Sequence, residues 1–384
     1  MSIYQHLGLS EWPFSVVPRP QHATYLAGRP ALTTELDTLA LTLSRRTTSS
    51  LHVFWSWFGA GKTHSLFYLS SSLHRQQSGP VKTIPVYSEL PKNVVSFRDV
   101  YETWARAVTA DMCVEAFLDL STQGDGEKIA NEITAAVPNL RTSLRMIAVG
   151  SHADATVARA WYMGEPVAAA DLRRIGITDR IRDSDDAISV IAAAVGLLDA
   201  AARSAGRAGG RVVWMIDEYQ RIRRTKRGAE DVNAGMHSVF NACASGLTII
   251  FSFSGLPETT LPTWFSRELK DRIGATKVYV LPPFGKDEAV TFVHDVLKHF
   301  RDPSVRVPSE YFPFTAEAVR TTVKRIAKDA ELRPRTVMQV FGIVLEAADP
   351  LIESGTLASI TPDFVADALK DVVIVSADSG DSDD

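Results

Sequence analysis

The apolar run Leu51-His52-Val53-Phe54-Trp55-Ser56-Trp57 leads straight into Phe58-Gly59-Ala60-Gly61-Lys62-Thr63. A buried strand, a glycine loop, Lys-Thr and then a helix over roughly Lys62 to Arg75 is the order expected of a phosphate-binding loop. Glycine lets the backbone curl so that successive N–H groups point at phosphate oxygens. In that reading Gly59, Ala60, Gly61 and His64 line the phosphates, Lys62 reaches the β- and γ-phosphates, and Thr63 ligates Mg²⁺. The helix adds its positive N-terminal end. One position departs from G-x-x-x-x-G-K-[ST]: Ser56 stands where the first glycine is usual. It lies at the loop entrance, so the chemistry of the loop is expected to survive.

A second signal lies downstream. Val212-Val213-Trp214-Met215-Ile216 reads as a buried strand ending in Asp217-Glu218. In an open parallel sheet that end is the ligand-binding edge. Asp217 is placed to hold Mg²⁺, directly or through water. Glu218 is placed to orient and polarise an attacking water. Acids at a strand end are common, and only the pairing with the loop gives these two a catalytic reading. A further strand, Leu247 to Ser254, brings Ser252 or Ser254 to the same edge, where either hydroxyl can meet a γ-phosphate or a water. Arg267 and Arg272, before a short strand over Lys277 to Leu281, are candidates for an arginine offered to a neighbouring subunit's nucleotide. Both also suit plain surface pairing with Glu268 or Asp271. Arg333-Pro334-Arg335 opens a late helix and offers an arginine that reaches back over the nucleotide.

Helices are expected at 31–47, 62–75, 97–118 and 189–204, with Val81 to Ser88 as a second strand. Continuous apolar strands separated by helices predict an α/β fold with a parallel sheet sandwiched by helices. Beyond Pro282-Pro283 the pattern is all helical, at 286–299, 315–328, 333–347 and 362–370, with Thr315 and Thr361 as N-caps. The organisation expected is a wrapping segment at 1–30, a nucleotide-binding core at 31–283 with a helical insertion at 120–185, a helical lid at 284–372 and an acidic tail at 373–384. The 384 residues carry a net charge of −4, which argues against a globally basic nucleic-acid binder but not against a local basic patch. Two cysteines, Cys113 and Cys243, fit a reducing cytosol. The N-terminus lacks the pattern of a secretory leader, and no run is expected to cross a bilayer, so a cytoplasmic location is expected.

The ordered set of phosphate loop, Asp-Glu strand end, polar strand end, arginine and lid arginine resembles the AAA+ ATPases over roughly residues 25–350. Within them it is most similar to the initiator (ORC/Cdc6-like) branch and the ATPase regulators of Tn7-type transposition. Arg29-Pro30 followed by a helix with Glu35 resembles the segment with which that branch cradles adenine. Tyr4, Leu7-Gly8-Leu9 and Trp12-Pro13-Phe14 look like the start of several bacterial members. The stretch Trp161-Tyr162-Met163-Gly164-Glu165 with Leu172, Gly176-Ile177 and Ile181 faintly resembles ATP-binding proteins of BREX-type phage-exclusion systems. The resemblance implies ATP and Mg²⁺ as cofactors, a ring or helical homo-oligomer with shared sites, double-stranded DNA as partner, and an effector such as a transposase, nuclease or defence component. Too few residues follow the lid for the winged-helix domain of initiators, which speaks against direct sequence-specific DNA recognition.

Arg221, Arg223, Arg224, Lys226 and Arg227 put five positive charges in seven positions after Glu218. In an oligomer such a segment can face a central channel and track a phosphate backbone, joined by Lys92. A solvated basic loop is the competing account. Two other functions compete with a DNA-associated regulator: a nucleotide-gated signalling switch, and a protein remodeller that threads polypeptide. A remodeller would usually carry an aromatic–hydrophobic pair in the loop Glu89-Leu90-Pro91-Lys92-Asn93-Val94-Val95, which has no aromatic.

Overall fold

The computed structural model describes residues 3–255, 260–273 and 277–374, without the side chain of Arg224. The acidic tail expected from 373 lies, from residue 375 on, outside the described residues. In chain order the elements are α1 (Pro30–Leu43), β1 (Ser50–Ser56), α2 (Lys62–Arg75), β2 (Val81–Glu89), α3 (Phe97–Ala107), α4 (Ala110–Ser121), α5 (Gly126–Ile133), α6 (Pro138–Val149), α7 (His152–Tyr162), α8 (Ala169–Arg174), α9 (Ser184–Ser204), β3 (Gly209–Asp217), α10 (Lys226–Ala242), β4 (Leu247–Ser254), α11 (Arg267–Ile273), β5 (Val278–Val280), α12 (Lys286–His299), α13 (Ala316–Asp329), α14 (Pro334–Glu353) and α15 (Pro362–Ala368). They divide into two compact units, one of Asp37–Trp55 with Leu69–Val280, the other of Met1–Leu36, Ser56–Tyr68 and Leu281–Asp384.

The first unit is built on a five-stranded sheet of order β2-β3-β4-β1-β5. The pairs β2–β3, β3–β4 and β1–β5 are parallel. Strands β3 and β4 are buried at every position, as expected of a parallel sheet covered by helices. The β2–β3 register sets Glu89 opposite Asp217. Helices α3, α9 and α10 pack against the sheet and one another, with Trp104 edge-on to Trp214 at 4.9 Å.

Several expectations shift in detail. The helix expected over 97–118 is two helices, because Thr109 turns extended and its side chain accepts from Met112 N to cap α4. Gly209 and Gly210 begin β3, ahead of the expected Val212: a Cβ on Gly210 would stand 2.5 Å from Leu198 O, so glycine alone lets the strand start against α9. Lys226 and Arg227, read as part of a basic loop, open the 17-residue α10, Lys226–Ala242. The insertion α5–α8 is no appendage. Leu140, Leu144, Trp161, Tyr162, Leu172, Ile177 and Ile181 join the same hydrophobic cluster as β3 and β4. Contrary to expectation, Ser184–Ser204 is long and apolar enough to cross a membrane by length and composition. In the fold its apolar positions, from Ala187 to Leu198, pack in the sheet's core cluster.

The second unit has its own core. Leu7, Leu9 and Phe14 of the N-terminal segment are buried with Phe292, Val296, Phe314, Phe341 and Leu345 of the helical region. Thr315 and Thr361 cap α13 and α15, and Pro362 takes the first position of α15. Helix α14 runs past the expected 347 through Pro350, because Ala348 and Ile352 are buried in this core and hold the last turns.

Candidate functional site

Strand β1 delivers the glycine loop. Ser56, fully buried, donates its hydroxyl to Leu281 O at the loop entrance. Gly59 and Gly61 have φ of +74° and +97°, a region that favours glycine. Lys62 is buried and opens α2. Its ammonium donates to Ser56 O at 3.1 Å and Trp57 O at 2.9 Å, so the loop's own carbonyls hold it. Thr63 occupies the first turn of α2. His64 Nε2 lies 2.8 Å from Tyr25 O, and burial lowers its pKa, which keeps the ring neutral at pH 7. The Tyr25 ring in turn stacks on His299, with centroids 3.8 Å apart.

Three arginines meet this loop. Arg29 donates to Pro282 O at 2.7 Å and to Ala60 O at 3.5 Å, with its guanidinium 4.5 Å from the centre of the Phe284 ring. Burial lowers its pKa to about 10, so it stays charged at neutral pH. The structure separates the two lid arginines. Arg333, 3% exposed, grips Glu331 Oε2 through Nη2 at 2.6 Å and Nε at 2.8 Å and lies over the Trp57 ring. Arg335 is exposed, and its backbone N–H donates to Gly59 O at 3.2 Å. A Cβ on Gly59 would stand 2.9 Å from Arg335 Cβ, so glycine there also admits α14.

In the sheet unit, β3 ends in a carboxylate held from three sides. Asp217 Oδ1 accepts from Ser252 Oγ at 2.6 Å and from Glu218 N at 2.9 Å, and Oδ2 accepts from Tyr87 OH at 3.1 Å. Burial and the nearby Asp217 push the Tyr87 hydroxyl well up, so it remains a donor. Glu218 has φ of +58°, the one non-glycine with positive φ among the described residues. Its Oε2 accepts from Gln220 Nε2 at 2.9 Å and lies 3.5 Å from Arg221 Nη2. The two serines part here: Ser252 serves Asp217, whereas the buried Ser254 hydroxyl has no partner among the described residues.

The remaining candidates lie on the same unit. Arg267 is 90% exposed and 3.9 Å from Asp271, and Arg272 donates to Asn241 Oδ1 at 3.4 Å. Arg223, Lys226, Arg227 and Lys92 are exposed. The side chain of Arg224 lies outside what the structure describes. Arg221 stands apart from this basic group: it is half-buried, pairs with Glu89 at 2.8 Å and bonds Leu90 O. The loop carrying Lys92 packs against the start of α10, since a Cβ on Gly228 would stand 3.1 Å from Val95 O and Phe97 N donates to Asp231 at 2.7 Å. Tyr87 and Gln220 were absent from the sequence-based candidates. Only the β2–β3 register and the turn after Glu218 reveal them.

No family model and no curated protein matches the chain. Solved structures do. The chain is similar to the ORC2 protein of Aeropyrum pernix, solved as ADPNP–ADP complexes, with a TM-score of 0.53 and 13% identity over 89% of this chain and 67% of that one. The Aeropyrum pernix ORC1 protein in complex with DNA follows at a TM-score of 0.49 and 12% identity, over 93% of this chain and 68% of that one. Cdc6p from Pyrobaculum aerophilum follows at 0.45 and 13%, over 95% and 72%.

Proposed function

We propose that this chain, whose fold is that of the ORC/Cdc6-like AAA+ proteins, is an Mg-ATP-dependent ATPase that works in association with DNA. The observation that carries the reading is the loop. Left-handed Gly59 and Gly61 precede a buried Lys62 and a threonine at a helix N-terminus. The residues fit the nucleotide: an ammonium on the loop, a hydroxyl beside it, and at the end of β3 a carboxylate that accepts three hydrogen bonds. Strands β1 and β3 belong to one five-stranded sheet, and the chain runs from β1 into the loop and from β3 into the acids.

When bound, Mg-ATP supplies the transferable phosphoryl group. Lys62 and the loop N–H groups would bind its phosphates, Thr63 and Asp217 would hold the Mg²⁺, and Arg29 and Arg335 would close on it. Glu218 would accept the proton of the attacking water. The buried Ser254 hydroxyl, without a partner among the described residues, would be ready for a phosphate or a water.

DNA association is inferred from Arg223, Lys226, Arg227 and Lys92, whose exposed charges suit a phosphate backbone. We further infer a homo-oligomer in which Arg267 or Arg272 reaches a neighbour's nucleotide, coupled to an effector such as a transposase, nuclease or defence component. Phosphate release measured with and without duplex DNA, beside gel shifts with and without ATP, tests the reading. A wild-type chain that releases no phosphate and shifts no DNA overturns it.

A further inference from the structure

The tightest unassigned polar arrangement lies just past Glu218. Gln220 spans the carboxyl ends of β3 and β4, which are neighbours in the sheet. Its Nε2 donates to Glu218 Oε2 at 2.9 Å, and its Oε1 accepts from Ser254 N at 3.0 Å. The two partners fix the orientation of the amide. A backbone N–H can only donate, so it selects the oxygen, and a carboxylate can only accept, so it selects the nitrogen. Ser252 and Ser254 are two apart on β4 and so share a side of the strand. The first bonds Asp217 directly and the second reaches Glu218 through Gln220. One strand end thereby steers both carboxylates.

Glu218 sits in a left-handed backbone conformation, at φ +58°, which is strained for a non-glycine residue and persists only where surroundings over-determine it. Here Glu218 N donates to Asp217 Oδ1, Arg221 N donates to Glu218 O at 3.0 Å, and Gln220 holds the side chain. Strain at one residue, fixed from both backbone and side chain, marks a carboxylate whose direction matters.

We propose that Gln220 is a positioning residue for hydrolysis: it aims the Glu218 carboxylate by donating to Oε2, while its tie to Ser254 makes that aim follow the end of β4. This rests on the ATPase reading above.

Gln220→Glu separates the two bonds. It is isosteric, keeps an acceptor for Ser254 N, and loses the donor to Glu218 while adding a like charge. Gln220→Met keeps the length and removes both bonds. Expected for both is a kcat lower by about tenfold or more, part of the ~10²–10⁴ that a general base contributes. The affinity for a fluorescent ATP analogue and the melting temperature should be unchanged, so that the whole loss falls on kcat. A merely structural role would lower affinity or melting temperature together with kcat. If wild type hydrolyses ATP while either folded variant keeps kcat, or loses kcat only together with affinity and melting temperature, Gln220 has no such role and the ATPase reading stands. If wild type binds the analogue but releases no phosphate, or binds nothing, the ATPase reading falls and this role falls with it.

Discussion

The guanidinium of Arg333 lies 5.0 Å from the centre of the Trp57 ring and carries Glu331 Oε2 on its own nitrogens. Its charge is thus spent inside the unit, on a neighbouring acid and an aromatic face, whereas the Arg335 side chain is exposed, and the proposal gives the nucleotide to Arg335. Arg335→Ala is expected to weaken ATP binding or turnover at unchanged melting temperature. Arg333→Ala is expected to lower the melting temperature, since a desolvated cation–π contact contributes about 2 kcal/mol. Thermal shift and steady-state kinetics on the two variants check this; equal effects on turnover would return Arg333 to the site.

Lys62 is the loop's buried cation, and without it the loop carbonyls of Ser56 and Trp57 lose their donor. Lys62→Ala should abolish nucleotide binding by calorimetry. Ser56→Gly restores the usual glycine. It should leave affinity within about threefold and cost stability of about 1 kcal/mol, the net worth of the hydrogen bond to Leu281 O that it removes.

Glu218→Gln should retain ATP binding and reduce turnover by about 10² or more, as expected for loss of a general base. Arg267 and Arg272 both lie exposed on α11, so each suits action across a subunit boundary. If Arg272 acts there, Arg272→Ala should bind ATP without hydrolysing it, and mixing it with Lys62→Ala subunits should restore some activity. Absence of rescue at every mixing ratio counts against a shared site.

The exposed charges Arg223, Lys226 and Arg227 are predicted to set the salt dependence of DNA binding. Reversing all three should flatten the slope of log K against log salt by about 0.9 for each phosphate that is no longer neutralised. Arg221→Ala should leave that slope alone, because Arg221 is already committed to Glu89 and Leu90 O.

His52, buried in β1, has its pKa lowered to about 3, first by burial and then by Lys277 and Arg211. Its folded value lies below the ordinary 6.5, so between pH 6.5 and about 3 the unfolded chain binds a proton that the folded chain refuses. Stability should therefore fall as pH drops through that window, by up to about 1.4 kcal/mol per pH unit from this group. His52→Phe should flatten the acid side of a plot of melting temperature against pH. Burial also lowers His64 and His299, which add to the same slope.

Three strands were legible because a parallel sheet demands continuous apolar runs, and Leu51–Ser56, Val212–Asp217 and Leu247–Ser254 supply them, whereas β2, at the sheet edge, is only partly buried. Helix α10 was hidden because its first turn is a cluster of charges, and charge density says nothing of backbone state. The insertion was legible only as helical, because its helices are short and Gly-broken, yet Trp161, Tyr162 and Leu172 bury them in the main core. In the candidate site, chain order alone brought out Lys62, Thr63, Asp217 and Glu218, whose residue types are tied to their chemistry.

The sequence by itself determined the α/β class and set Lys62 and Thr63 after the loop that follows β1 and Asp217 and Glu218 at the end of β3, because local periodicity and loop composition dictate them. Tertiary structure alone decided how the ambiguous pairs divide. Ser252 falls to Asp217 and leaves Ser254 its hydroxyl; Arg333 falls to Glu331 and Trp57 and leaves Arg335 exposed; Arg221 leaves the basic patch for Glu89. Each decision turns on which polar groups long-range packing brings within hydrogen-bonding distance, a quantity that no spacing along the chain records.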